Sequence, residues 1–207
     1  MFTGIITDVG EVISRDGGQF TIACHSEASS IAIGASIACD GCCLTATSVK
    51  STGPGRSEFS VDVSNETLSV TTLGEWRPGK RINLERSLSF GDELGGHLVS
   101  GHVDGLARIL SIKLDGNAWR FRFEAPDHLA GLIAQKGSVA LAGTSLTVNE
   151  VEGRTFGIAM IPHTLKVTNW DERAEGDHVN IEVDLLARYV ARLSAYRSET
   201  DKSSSKT

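Results

Sequence analysis

The sequence predicts an all-β protein, two copies of a small Greek-key barrel in tandem followed by one amphipathic helix. Three observations carry that prediction. The 207-residue chain repeats itself once at a spacing near 100 residues. Each copy is made of short runs rich in β-branched residues and broken by Gly, Asp and Ser turns. Only the C-terminal segment switches to apolar residues spaced three and four apart. Two copies of this size are a duplicated domain, not a solenoid.

The repeat is legible residue by residue. At an offset of 97, Thr67 falls on Thr164, Leu68 on Leu165, Val70 on Val167 and Thr71 on Thr168. In the same frame Glu75 meets Glu172, Gly79 meets Gly176, Asn83 meets Asn180 and Glu85 meets Glu182. Gly4 falls on Gly101 and Ile5 on His102. Between these anchors the offset becomes 102, where DGCCLTATSV from Asp40 answers AGTSLTVNEV from Ala142. There Ser36 meets Ser138, Gly41 meets Gly143, Cys43 meets Ser145 and Thr45 meets Thr147. The offset returns to 97 because the loop KSTGPGRSE is longer than EGR, a change a surface hairpin tolerates.

Within each copy, EVISRDGGQFTIAC reads as two alternating runs around Asp-Gly-Gly, a hairpin. SIACDGCCLTATSV, RSEFSVDVS and RINLERSL read as further strand runs. SEASSIAIG and PDHLAGLIAQ, at equivalent places, read as one short helix each. Five or six strands in about 90 residues suit a closed barrel, which leaves no free sheet edge. GDELGG is the hinge, so the expected units are residues 1–96, 97–184 and 185–207. In DLLARYVARLSAYRSE, Leu185, Tyr189 and Tyr196 form one stripe, with Leu186, Val190 and Leu193 beside it. A lone helix outside two closed barrels has little of its own chain to cover that face, so it is expected to pack on another subunit. The polar end, TDKSSSKT, is expected to be disordered.

Composition narrows the function classes. A formal charge of −6 disfavours a nucleic-acid or anionic-membrane surface. No apolar run reaches the roughly 20 residues of a membrane span, and MFTGIITDVGEV has no signal-peptide character. A cytoplasmic protein is expected. The cysteines, at 24, 39, 42 and 43, lack the spacing of a structural zinc site, and neighbours in sequence pair poorly with each other. Reduced, partly buried thiols are expected at Cys24 and Cys39.

Cys43 and Ser145, which exchange a thiol for a hydroxyl at one place in the repeated motif, are the first candidates for chemistry. A thiol or hydroxyl can donate, polarise or add to an electrophile. The competing reading is a turn whose Ser, Cys and Thr satisfy backbone groups. His102 breaks the apolar pattern set by Ile5 and brings in the residue type most often used to shuttle protons, while His97 lies in the hinge and reads as structural. Asp184, opposite Ser87, suits an N-cap for the terminal helix as well as a site. Glu85 and Glu182 read either as ligand-binding carboxylates or as barrel-rim charges, and Phe2 as a ligand cover or a barrel plug.

MFTGI, DGCCLTA, GGHLVSGHVDG, GTSLTVNEV, IPHTL and VNIEVDLLARYV, in this order from Met1 to about Arg192, resemble the riboflavin synthase family of the α-chain type. The resemblance implies two six-stranded barrels and a C-terminal helix that assembles a homotrimer. It implies a transferase that dismutates two molecules of 6,7-dimethyl-8-ribityllumazine without metal or organic cofactor, giving riboflavin and 5-amino-6-ribitylamino-2,4(1H,3H)-pyrimidinedione. Each site would join the first barrel of one subunit to the second barrel of its neighbour, with two lumazines bound per site. Lumazine synthase is a further candidate partner.

Carried over by position, the catalytic residues are Cys43, His102, Ser145 and Asp184. Substrate contacts fall on Gly4, Ile5, Ile6, Cys42, Cys43, Leu44, Thr45, Asp62, Val63, Ser64, Glu66 and Thr67 in the first half. In the second half they fall on Gly101, His102, Val103, Lys136, Ser145, Leu146, Thr147, Met160, Ile161, Pro162, His163 and Thr164. The family often has Glu where this chain has His163. The rival function is a lumazine or flavin carrier of the same fold, which needs only one good pocket.

Overall fold

A computed structural model describes residues 1–204, with side chains described as far as residue 198. Twelve strands close into two separate antiparallel barrels of six. The first contains β1 (Asp8–Asp16), β2 (Gln19–Cys24), β3 (Ser36–Cys39), β4 (Cys42–Gly53), β5 (Arg56–Asp62) and β6 (Arg81–Arg86), in the order β1-β2-β5-β4-β3-β6. The second repeats this with β7 (Gly105–Asp115), β8 (Ala118–Glu124), β9 (Ser138–Leu141), β10 (Thr144–Glu152), β11 (Thr155–Met160) and β12 (His178–Val183). The correspondence reaches irregularities. β1 and β7 slip register between Val12 and Ser14 and between Ile109 and Ser111, while β4 and β10 slip between Ala46 and Ser48 and between Val148 and Glu150. Bulges of this kind bend a strand around a small barrel.

Strand alternation fills each core. Val12, Phe20, Ile22, Phe59, Val61 and Ile82 point into the first barrel, and Ile109, Phe121, Phe123, Phe156, Ile158 and Ile181 into the second. Trp76 closes on Phe20 edge-to-face at 5.6 Å, and Trp170 on Phe121 at 5.5 Å. Each barrel thus has its own apolar interior.

Several local readings are refined. SIACDGCCLTATSV is two strands, β3 and β4, joined by the tight turn Asp40–Gly41 with φ of 44° and 83°. Positive φ at both central residues is the geometry that suits the twist of a two-residue hairpin. The equivalent turn is Ala142–Gly143, at 44° and 78°. The two expected short helices are single turns, Ala28–Ser30 and α2 (Asp127–Ala130); the longer α1 (Asn65–Val70) and α3 (Pro162–Val167) follow later in the first and second halves.

The terminal helix α4 (Leu185–Ser204) runs further than expected, taking in five residues of TDKSSSKT; residues 205–207 lie outside the described residues. Asp184 caps α4 by accepting from the Leu186 N–H at 2.9 Å, as its N-cap reading required. Asp104 ties α4 to the second barrel through both guanidinium nitrogens of Arg188, at 2.6 and 2.8 Å. On either side of that clamp Leu186, Tyr189, Val190 and Leu193 are all exposed. No helix among the described residues is long and apolar enough to cross a membrane.

The barrels meet through an exchange of equivalents. Asn83 on β6 donates to the Ala142 carbonyl in the opposite turn, at 2.9 Å, and accepts from the Asn169 N–H at 2.7 Å. Asn180 on β12 donates to the Asp40 carbonyl at 2.9 Å and accepts from the Thr72 N–H at 2.8 Å. Gly41 and Gly143 pack on one another so closely that a Cβ on either would sit 2.7–2.8 Å from the other's backbone nitrogen. These reciprocal contacts define an approximate two-fold axis through the paired turns.

Candidate active site

Just ahead of each barrel runs a short lead segment, residues 1–7 for the first and 98–104 for the second. The two cross as an antiparallel bridge, with Phe2 N–H to the Val99 carbonyl at 2.8 Å and Val99 N–H to that of Phe2 at 3.0 Å. Phe2 is fully buried there with Ala38, Val99 and Ala140. It seals the inter-barrel contact, so both alternatives offered for it, ligand cover and barrel plug, give way to this one.

Each lead segment is then laid on the other half's hairpin. The Ser145 N–H donates to the Gly4 carbonyl at 2.7 Å, and the Cys43 N–H to that of Gly101 at 2.8 Å. The approach leaves no room for a side chain. A Cβ on Gly4 would lie 2.6 Å from Ser145 Cβ, and one on Gly101 would lie 2.6 Å from Cys43 Cβ. Both glycines also adopt positive φ, 74° and 79°.

Glu85 and Glu182 hold these segments from beneath. Glu85 accepts from the Thr3 N–H and hydroxyl, both at 2.7 Å, and from the Gly4 N–H at 2.9 Å. Glu182 does the same for Ser100, at 2.6 Å twice, and for Gly101 at 2.9 Å. Both carboxylates are buried. The rim-charge reading is therefore wrong, and three donors already engage each carboxylate. Burial pushes the Glu85 carboxyl up, and the bonds from Thr3 and Gly4 oppose it.

The crossing brings together, in one cleft, residues far apart in sequence. A cavity of about 240 Å³ is lined by Cys42, Cys43, Glu66, Thr67, Val70 and Thr71 of the first half and by Gly101, His102 and Val103 of the second. Seven of its nine lining residues are among those named from the sequence. Thr67 is set by the α1 cap, where Ser64 Oγ accepts from its N–H at 3.1 Å. Cys42 is the inert member of the cysteine pair, since burial pushes its thiol up to about 12. Cys43 is half-buried on the cavity wall.

The second locus differs by one residue that the sequence reading set aside. His97 Nδ1 lies 2.7 Å from Ser145 Oγ. Its backbone N–H donates to the Thr3 carbonyl at 3.0 Å, an approach that depends on Gly96. A Cβ there would strike the Thr3 carbonyl and come within 3.0 Å of Ser145 Oγ. Burial pushes the His97 pKa below its ordinary value, while the negative charge of Asp184 pulls it back up. A neutral imidazole against a hydroxyl can take its proton or orient it. Among the described residues no histidine bonds the Cys43 thiol, which shares its cavity wall with His102.

The remaining candidates distribute by strand alternation. Thr45 and Thr147 stand exposed two residues beyond Cys43 and Ser145, on the same faces. Leu44 and Leu146 point the other way, into the cores, as do Val63 and Met160. Asp62 lies exposed at the end of β5. Ile5 and Ile6 follow Gly4 as His102 and Val103 follow Gly101. Ile161, Pro162 and His163 are exposed and Thr164 half-buried at the start of α3. Lys136 is exposed at φ 66°, in the turn where the first half has Gly34 at 89°.

The lumazine binding domain model matches residues 3–87 and again 100–184. The riboflavin synthase of Brucella abortus is 52% identical over 201 residues, covering 95% of this chain and all of that one. That of Photobacterium phosphoreum is 39% identical over 209 residues (99% of this chain, 94% of that one), and that of Bacillus subtilis 37% over 196 (93% and 89%). Among solved structures, LumP complexed with riboflavin superposes with a TM-score of 0.74 at 23% identity, covering 88% of this chain and 99% of that one. LumP complexed with 6,7-dimethyl-8-(1'-D-ribityl) lumazine gives 0.73 at 21%, with the same coverage. These two share the fold. Two lumazine-binding domains in register with the two barrels, and relatives matched along nearly their whole length, place the chain in the riboflavin synthase family.

Proposed function

We propose that the chain converts two molecules of 6,7-dimethyl-8-ribityllumazine into riboflavin and 5-amino-6-ribitylamino-2,4(1H,3H)-pyrimidinedione, at a site built between subunits of a homotrimer. One lumazine gives up a four-carbon unit and the other accepts it. The two products together contain the atoms of the two substrates, so no outside oxidant or reductant is called for. The observation that carries this reading is the reciprocal crossing of the lead segments. It makes two like half-sites for two like molecules and equips them unequally, with Cys43 beside His102 in one and Ser145 on His97 in the other.

The chemistry needs a proton removed from the C7 methyl group of one lumazine and a nucleophile added at C7 of the other. In the second half-site, neutral His97 draws on the Ser145 proton and so raises the nucleophilicity of Oγ, or relays a proton through it. In the first, Cys43 and His102 face the same cavity and serve as donor or acceptor. In this reading Thr67, which lines the first cavity, and Lys136 in the other half bind ribityl oxygens. Holding two substrates in fixed opposition replaces a bimolecular encounter, an effect that reaches about 7–11 kcal/mol at best.

The exposed apolar stripe of α4 supports the trimer. Units of residues 1–96, 97–184 and 185–207 then act as first half-site, second half-site and assembly element. The four unpaired cysteines are in keeping with a cytoplasmic protein, and lumazine synthase remains a candidate partner. The experiment is direct. Purified protein mixed with 6,7-dimethyl-8-ribityllumazine alone should release riboflavin at half-molar yield. Binding without turnover by a folded, oligomeric sample would instead make it a carrier.

A further inference from the structure

We propose that Asp40 is a positioning residue for this reaction: from the turn that leads into Cys42 and Cys43, it locks the second barrel, and with it Gly101 and His102, against the first. Asp40 is 1% exposed. Its carboxylate accepts from the Asn83 N–H at 2.8 Å, from Asn169 Nδ2 at 2.9 Å and from the Arg173 guanidinium at 3.2 Å. Asn83 belongs to the first barrel, Asn169 and Arg173 to the second. The Arg173 side chain is itself only 6% exposed.

The asparagine exchange across the two-fold axis is common to both halves, but this ion pair is not. At the equivalent turn stands Ala142, which offers only its carbonyl to Asn83. The one-sided brace is therefore confined to the turn that carries the cysteines. Burial pushes the Asp40 carboxyl up, and Arg173 is the strongest influence drawing it back. Two charges taken out of water are a poor way to stabilise a fold compared with apolar packing. Their geometry does something apolar packing does less well, which is to fix one relative orientation.

The path from the brace to the cavity is short. Asp40 and Gly41 lead directly into β4, and the Cys43 N–H binds the Gly101 carbonyl at 2.8 Å. With no spare room between Gly101 and Cys43, a small rotation of one barrel moves His102 relative to the thiol. A misplacement of about 1 Å can cost on the order of 10²-fold in rate.

The inference rests on the dismutation reading, and its test separates the two. Wild type, Asp40→Asn and the double variant Asp40→Asn/Arg173→Gln are compared for riboflavin formation, melting temperature and Cys43 alkylation by iodoacetamide, read by peptide mass. The double variant removes the buried cation that Asp40→Asn alone would strand. We expect kcat to fall fivefold or more with KM changed less than threefold. We also expect the double variant to recover melting temperature without recovering kcat, and Cys43 to be alkylated at least threefold faster in it. A kcat within fivefold of wild type in the folded double variant, kcat recovering in step with melting temperature, or failure of both variants to fold would each overturn the proposal. Absence of turnover in the wild type would instead reject the dismutation reading, and the alkylation rate would then decide the brace by itself.

Discussion

Ser145 and Cys43 hold the same place in the repeat, yet among the described residues a histidine bonds the side chain of Ser145 alone of the two. Removing that histidine should therefore hurt one half-site selectively. His97→Gln should lower kcat by about 10²-fold or more, the lower end of what a positioned general base supplies, while lumazine binding in the first half-site, followed by ligand fluorescence, stays near wild type. The same residue gives a pH signature. Its folded pKa lies below the 6.5 of the unfolded chain, because burial disfavours the imidazolium. The unfolded state thus binds the proton first. The stability that neutral His97 provides is complete above pH 6.5 and is lost as pH falls from there through the folded value. Urea unfolding across that window should show a shallower acid decline in His97→Gln than in wild type. The sequence made Cys43 and Ser145 legible because the repeat aligned them. It hid His97 because that residue sits at the hinge, outside the matched motifs, and its contact depends on Gly96 meeting the Thr3 carbonyl from far along the chain. Leu44 and Leu146 were readable as core all along, since their neighbours Cys43 and Ser145 face the other way in the strand.

At the scale of elements, the strands and their pairing follow from alternation and turn chemistry, and even the bulges recur at matched places. What the local pattern could not state is which turns carry strain. Lys136 sits at φ 66° where the first half uses Gly34, although the two turns make the same bond, N–H to the carbonyl of Val148 and of Ala46. A lysine in that region costs energy that a glycine does not. Its side chain is exposed, so no burial compensates it in the folded chain. Strain retained without a packing return points to use, and on the proposed reading that use is contact with a ribityl oxygen. Lys136→Gly should then raise stability by about 0.5–1 kcal/mol, the relief of the left-handed backbone less the greater freedom of glycine when unfolded. The same variant should raise KM for the lumazine. Urea denaturation and steady-state kinetics on one sample check both. A stabilised variant with unchanged KM would leave Lys136 as an unremarkable surface turn.

For the whole molecule, duplication explains the intramolecular two-fold but not why one chain should be insufficient. Within a subunit the two loci are related by an axis through the paired turns, each facing its own side of that axis. On the proposed reading, two substrates that react with each other take a first half-site from one subunit and a second from its neighbour, which gives α4 a reason to expose Leu186, Tyr189, Val190 and Leu193. That arrangement makes a prediction no single-chain site can share. Subunits carrying Cys43→Ala retain an intact second half-site, and subunits carrying Ser145→Ala an intact first one. Each variant alone should be strongly impaired. Unfolded together, mixed in equal amounts and refolded into oligomers, they should regain activity, because some interfaces pair the good half of one with the good half of the other. With free scrambling about a quarter of the sites are wholly wild type, so turnover should approach that fraction. Continuous riboflavin fluorescence, with the unmixed variants as baseline, measures it. If the mixture gives no more than the average of the two variants, both half-sites belong to one chain, and the exposed face of α4 has nothing to do with catalysis.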